Sequence, residues 1–183
     1  MDLSKFTGTG YSKGRSKLVC ALWLAVSSSI FQRWWLPSRA RVSILRMFGA
    51  QIGEQVLVRH RVRVHWPWKL SIGDDVWIGE GSWILNLEQV SVGSNVCISQ
   101  NVVLCAGSHK FRSSDFRFDN GPIVVEENSW LAFGCLILRG VTVGAGSLVG
   151  ASAVVARDLK PGSRVAAAES TVTIAVAKET RPG

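Results

Sequence analysis

The sequence predicts an all-β fold: a parallel β-helix of about five triangular coils, entered through an N-terminal helical segment. Three observations predict it. Aliphatic residues recur every six positions over more than a hundred residues. Small or β-branched residues stand four positions after most of them, and glycine often follows directly. The composition, 47% hydrophobic and 19% charged over 183 residues, suits one folded domain and excludes a disordered chain.

The repeat runs Ile52, Val58, Val64, then after a step of eight Ile72, Ile78, Ile84, and after another Val92, Ile98, Leu104. A long gap follows, and the beat resumes at Val125, Leu131, Ile137, Val143, Val149 and Val155. A helix requires apolar spacings of three and four, and a hairpin sheet alternates by two. Period six fits short strands joined by tight corners, every sixth side chain pointing to a common axis. Three such units close one coil. Each coil buries its aliphatic residues against the coils above and below. The small residues let the corners close, and glycine is expected where the corners need special backbone angles. The surpluses at Lys69–Leu70 and Gln89–Val90 read as bulges at a corner. The spacing does not set the hand of the coil.

Ahead of the repeat, residues 18–31 form an uncharged run too short to cross a bilayer. The seventeen residues before it make a long n-region, which argues against a signal peptide. Pro37 ends this segment. Beyond it, Val42, Leu45, Met47 and Phe48 can share the apolar side of an amphipathic helix while Arg39, Arg41 and Arg46 stay wet. The segment reads as a cap packed on the body, as a surface-lying membrane anchor with Arg33, Trp34 and Trp35 at the interface, or as both. The expected organisation is therefore a helical cap or membrane-surface segment (1–49), a β-helix (50–160) with a loop at 105–122, and a tail (161–183). Cys20, Cys97, Cys105 and Cys135 form no C-x-x-C pair and read as reduced thiols. The net charge of +8 suggests a phosphorylated small molecule or an anionic membrane. Nucleic acid is not expected, since no nucleic-acid-binding motif is present.

The long gap, "LCAGSHKFRSSDFRFDNGPIVV", holds His109, one of three histidines. A loop extruded from a rigid scaffold can carry a base clear of the packed prism. His60 and His65, five apart, have a spacing used by carbonic-anhydrase-like β-helices. They stand among arginines with no third histidine nearby, so no metal is expected. A non-catalytic scaffold is the other class of reading.

The hexapeptide run, the "AGSH" loop and "NSWLAFGCLILRGVTVGAGSLVGASAVVARDL" resemble the hexapeptide-repeat acyltransferases, and within them the O-acetyltransferases of the colanic-acid and nodulation type. "RMFGAQIG" and "WPWKLSIGDDVWIG" extend the resemblance over nearly the whole chain. It implies a left-handed coil, a homotrimer, and transfer of acetyl from acetyl-CoA to a hydroxyl of a saccharide or lipid-linked saccharide; the expected location is cytoplasmic, with the N-terminal segment offering peripheral association at the inner membrane. By the same resemblance His109 is the general base, a backbone N–H at or beside Phe133 steadies the oxyanion, Trp130, Ala151, Ala156 and Arg157 line the coenzyme A site, and Asn86 contacts the acceptor. Two positions depart from the family pattern. Lys110 replaces the acidic residue after the histidine, leaving Asp115, which is also expected with Asn86 at the acceptor, or Asp119 to serve nearby. The glycine-x-proline loop near the nucleotide is replaced by "AAEST", which puts Glu169 among the phosphates.

Overall fold

The computed structural model describes residues 2–167. Sixteen short strands wind as a solenoid with three faces. Numbered in chain order, β1 (Gln51–Ile52), β4 (Leu70–Ile72), β7 (Val90–Val92), β10 (Ile123–Val125) and β13 (Thr142–Val143) stack in parallel as sheet A. Sheet B holds β2 (Leu57–Val58), β5 (Trp77–Ile78), β8 (Cys97–Ile98), β11 (Trp130–Leu131), β14 (Leu148–Val149) and β16 (Arg164–Val165). Sheet C holds β3 (Arg63–Val64), β6 (Trp83–Leu85), β9 (Val103–Cys105), β12 (Leu136–Leu138) and β15 (Val154–Val155). Five coils are complete. Leu159, bridged to Val143, and β16 begin a sixth within residues 161–167 and the stretch just before them.

The period of six is the register of this stack. Val58, Ile78, Ile98, Leu131, Val149 and Val165 pair in succession up sheet B. Val64, Ile84, Leu104, Ile137 and Val155 do so up sheet C. Apart from Val165 at the last coil, these ladder residues are buried. The long gap leaves the register intact, because Ile123, Val124 and Val125 still pair with Val90, Ser91 and Val92.

The glycine after each aliphatic residue has a different cause from the one expected. The left-handed backbone angles fall two residues later, at Gln55, Asp75, Asn95 and Asn128 on one corner and Arg61, Asn101 and Ser152 on another. Asparagine and aspartate tolerate that region better than most side chains. The earlier glycine answers to closeness instead. A Cβ on Gly93 would sit 2.7 Å from the backbone nitrogen of Glu127 in the next coil.

The cap consists of α1 (Lys17–Val26), a π-helical turn over Ser27–Phe31, and α2 (Ser38–Met47). Trp23 is fully buried against Phe31 and Phe48, and its indole N–H donates to the carbonyls of Val64 and His65 at the end of β3. Arg41 corrects an expectation: it is buried. Its guanidinium donates to the carbonyls of Phe31 (3.0 Å), Arg33 (2.5 Å) and Val58 (3.4 Å). The end of the π-turn leaves the Phe31 carbonyl without an intrahelical partner, and Arg41 supplies one. Met47, expected on the apolar side, is exposed.

Candidate active site

The insertion leaves sheet C after β9 and returns to sheet A at β10, so it projects from the corner between those sheets. Its two arms pair with each other. Asp119 N–H donates to Ser108 O (2.8 Å), Lys110 N–H donates to Arg117 O (2.9 Å), and His109 bridges Phe118 in antiparallel fashion. The Asn120 side chain accepts from Ser108 N–H at 3.1 Å, and Asp119 is ion-paired with Arg139 of the next coil. The loop is thereby fixed on both sides of its histidine.

His109 is half-buried in aromatic rings. Phe116 stacks on it at 4.4 Å with planes 2° apart, Phe118 lies at 4.9 Å, and Phe6 meets it edge-on at 5.3 Å. Its Nδ1 lies 2.8 Å from the carbonyl oxygen of Phe116. A carbonyl only accepts, so Nδ1 carries a proton, and in the neutral imidazole Nε2 keeps its lone pair. Phe116 has φ +48°, rare for a bulky residue, and this conformation belongs to the turn that delivers its carbonyl to the imidazole. The carbonyl fills the orienting role for which Lys110 is unsuited. Asp115 does not: it accepts a hydrogen bond from the Ser113 hydroxyl, which holds its carboxyl below the ordinary carboxylate range.

An open cavity of about 520 Å³ lies against His109, lined also by Lys110, Phe111, Arg112, Arg117 and Arg139. Arg139 continues into a smaller groove with Gly107, Ser108, Leu138 and Ala156. Ala156 leads on to a third hollow bordered by Val154, Arg157 and Leu159. Shared residues thus join His109 to Ala156 and Arg157 along one corner. The lining is cationic and partly apolar. A larger cavity, between α2 and the first coil, lies away from all these residues.

The other expected residues lie elsewhere. Phe133 and Ala151 occupy the corner between sheets B and C, stacked so that Ser152 N–H donates to Phe133 O (2.9 Å), and Trp130 faces outward from sheet B beside them. Trp130 and Phe133 are about half exposed. Within sheet C, β9 and β12, three residues and about 10 Å long, lie between this group and His109. One protomer does not bring the two groups together.

Asn86 departs from its expected role. It is fully buried, its Oδ1 accepts from the N–H groups of His65 and Trp66, and its Nδ2 donates to the carbonyls of Trp66 and Lys69. It braces the corner of the preceding coil and has no surface to offer an acceptor. His60 and His65 stand at opposite ends of β3, His60 paired with Glu80 at 3.0 Å. Glu169 lies outside the described residues. All four cysteines are free thiols, and burial pushes that of Cys135 up to about 12.

Two contributors carried no signal in the sequence. The segment before α1 runs along the corner to the loop, with Tyr11 against Phe118 and Phe6 against His109. The Asp119–Arg139 pair joins residues twenty apart in the chain. The "FRF" at 116–118 hinted at an aromatic wall without showing which carbonyl would turn inward.

No family model matches the chain. Among curated proteins, the colanic acid biosynthesis acetyltransferase WcaF of Escherichia coli (strain K12) is 37% identical over 182 residues, covering 98% of each chain. The chain belongs to the hexapeptide-repeat acetyltransferases. The galactoside O-acetyltransferase of the same strain is 28% identical over 125 residues, 66% of this chain and 61% of that one. A hexapeptide-repeat acetyltransferase of Vibrio cholerae O1 biovar eltor, solved with acetyl-coenzyme A, shares the fold with a TM-score of 0.76 at 22% identity, covering 88% and 90% of the two chains. As an acetyltransferase of this family, the chain is an enzyme.

Proposed function

We propose that this enzyme transfers an acetyl group from acetyl-CoA to a hydroxyl of a saccharide, with His109 as general base. The observation that carries the reading is the bond between His109 and Phe116. It fixes the tautomer and leaves Nε2 able to take a proton. The acceptor oxygen attacks the thioester carbonyl as its proton passes to Nε2. The tetrahedral oxyanion then collapses, the C–S bond breaks, and the proton on Nε2 goes to the departing thiolate. Every proton is returned and the base is restored.

The names of WcaF and the galactoside enzyme support a saccharide acceptor. Phe111, well exposed on the cavity wall, offers a flat face for a sugar ring. Acetyl-CoA in the Vibrio structure supports the donor. Ala156 leaves room for a pantetheine arm along the groove, and Arg157, exposed at its far end, supplies charge for phosphate. The oxyanion donor at Phe133, with Trp130 and Ala151, is too far to serve His109 of its own chain. We propose that a neighbouring copy supplies it, and that the working unit is a homotrimer whose sites lie between protomers.

The test is calorimetric titration of acetyl-CoA into wild type and His109→Ala, followed by thiol release with a panel of galactosides and glucosides. Both forms should bind acetyl-CoA, and only the wild type should turn over. Absence of binding in both, or undiminished turnover by the variant, refutes the assignment.

A further inference from the structure

We propose that the outer face of the cap is a docking surface for an anionic lipid bilayer. Residues 18–32 carry no charge, and no helix of the described residues is long and apolar enough to cross a membrane. One face of α1 is spent on the core through Cys20 and Trp23. The opposite face is bare and apolar: Leu18 is 79% exposed and Leu22 55%. Beyond the π-turn stand Trp34, 80% exposed, and Trp35, 55% exposed. Two exposed leucines, each one helical turn from the other, and an exposed indole pair form an apolar surface that single scattered residues would not. Tryptophan is the side chain suited to the headgroup boundary.

The charge identifies the occupant. Residues 3–53 hold eight basic residues (Lys5, Lys13, Arg15, Lys17, Arg33, Arg39, Arg41 and Arg46) and no acidic one. The chain has 21 basic and 13 acidic residues, so the rest carries 13 of each and is neutral. The whole net charge of +8 therefore resides in the segment that bears the apolar face. Lys17, Arg33 and Arg39 are exposed on it, and only Arg41 is buried. A second copy seated on this face would meet the same positive charge, whereas an anionic leaflet complements it. The geometry is that of a helix lying in the interface with its apolar side submerged.

The surface is independent of acetyl transfer, and its test uses none. The full chain is sedimented with vesicles of phosphatidylcholine alone or with phosphatidylglycerol added, beside the variants Leu18→Glu/Leu22→Glu and Lys17→Glu/Arg33→Glu. All four positions are exposed, so melting temperatures should stay close to wild type. The wild type should partition onto the anionic vesicles at least about tenfold better than onto the neutral ones, and either variant should lose about tenfold. Tryptophan emission should shift to the blue with anionic vesicles and less so in Trp34→Ser/Trp35→Ser. The proposal is overturned if the folded wild type ignores anionic vesicles, or if the leucine variant binds as well as the wild type. Self-association of wild type that the leucine variant lacks would assign the face to a second copy and overturn it equally.

Discussion

The imidazole of His109 and the backbone of Phe116 are tied twice, by a 2.8 Å hydrogen bond from Nδ1 to the carbonyl oxygen and by parallel rings 4.4 Å apart. The first tie sets the tautomer and the second sets the plane. Replacing Phe116 with alanine keeps the carbonyl and removes the ring. The turnover number should fall while binding of acetyl-CoA is unchanged, and by less than the roughly 10²–10⁴-fold loss expected of His109→Ala. Steady-state kinetics beside calorimetric affinity separates the two. Equal loss in both variants would mean that the carbonyl alone does not hold the base.

Asn86 should behave as a structural residue. Asn86→Ala leaves the Trp66 N–H and the Lys69 carbonyl of the neighbouring corner without partners in a buried place, while His65 N–H keeps Ile84 O and Trp66 O keeps Lys69 N–H. The cost is about 3 kcal/mol, read by chemical denaturation. At a temperature where the variant stays folded, its KM for any acceptor should match the wild type. A selective rise in acceptor KM would return Asn86 to the binding site.

Arg41 should resist conservative exchange. Three carbonyls from three places converge on one planar guanidinium. The single ammonium of Arg41→Lys cannot reach them in the same fork. Both Arg41→Lys and Arg41→Met should lose about 3 kcal/mol of stability, the methionine no less than the lysine. Near-wild-type melting of the lysine variant would show that charge, not geometry, is what the site requires.

Acid should weaken the fold in part through His65. Burial first, then the charges of Lys13 and Lys69, hold its pKa below the ordinary 6.5. As pH falls past 6.5, the unfolded chain takes up a proton that the folded chain refuses, so stability present above 6.5 is lost down toward the folded value. Melting curves from pH 7.5 to 5 should fall more steeply for wild type than for His65→Gln, about these pH values. Parallel curves would place the acid sensitivity elsewhere.

The prism was legible because its cause is local and repeated. A residue whose neighbour lies one coil above must match it, so the period of Ile78, Ile98 and Leu131 is written in the chain. The reason for Gly93 was not, because its neighbour Glu127 lies across the insertion. His109 is singled out by the gap and the resemblance, whereas the carbonyl bonded to its Nδ1 depends on one unusual φ at Phe116. Asn86 and Arg41 misled for the same reason. Both are polar, both were expected at the surface, and both are buried by satisfying backbone groups contributed from other segments.

The two ends of the His109 insertion lie side by side, Gly121 N–H donating to Ala106 O at 3.0 Å. A segment whose ends already touch strains nothing when its length changes: doubling a flexible loop costs only about 0.6 kcal/mol in closure entropy. The prism fixes where the loop starts and stops, and the loop's own bonds hold the turn around His109. Loop positions outside the His109–Phe116 and Asp119–Arg139 ties can therefore change or multiply while the prism that folds the protein stays constant. Length at the tip of the loop and packing inside the prism are set by separate stretches of one sequence.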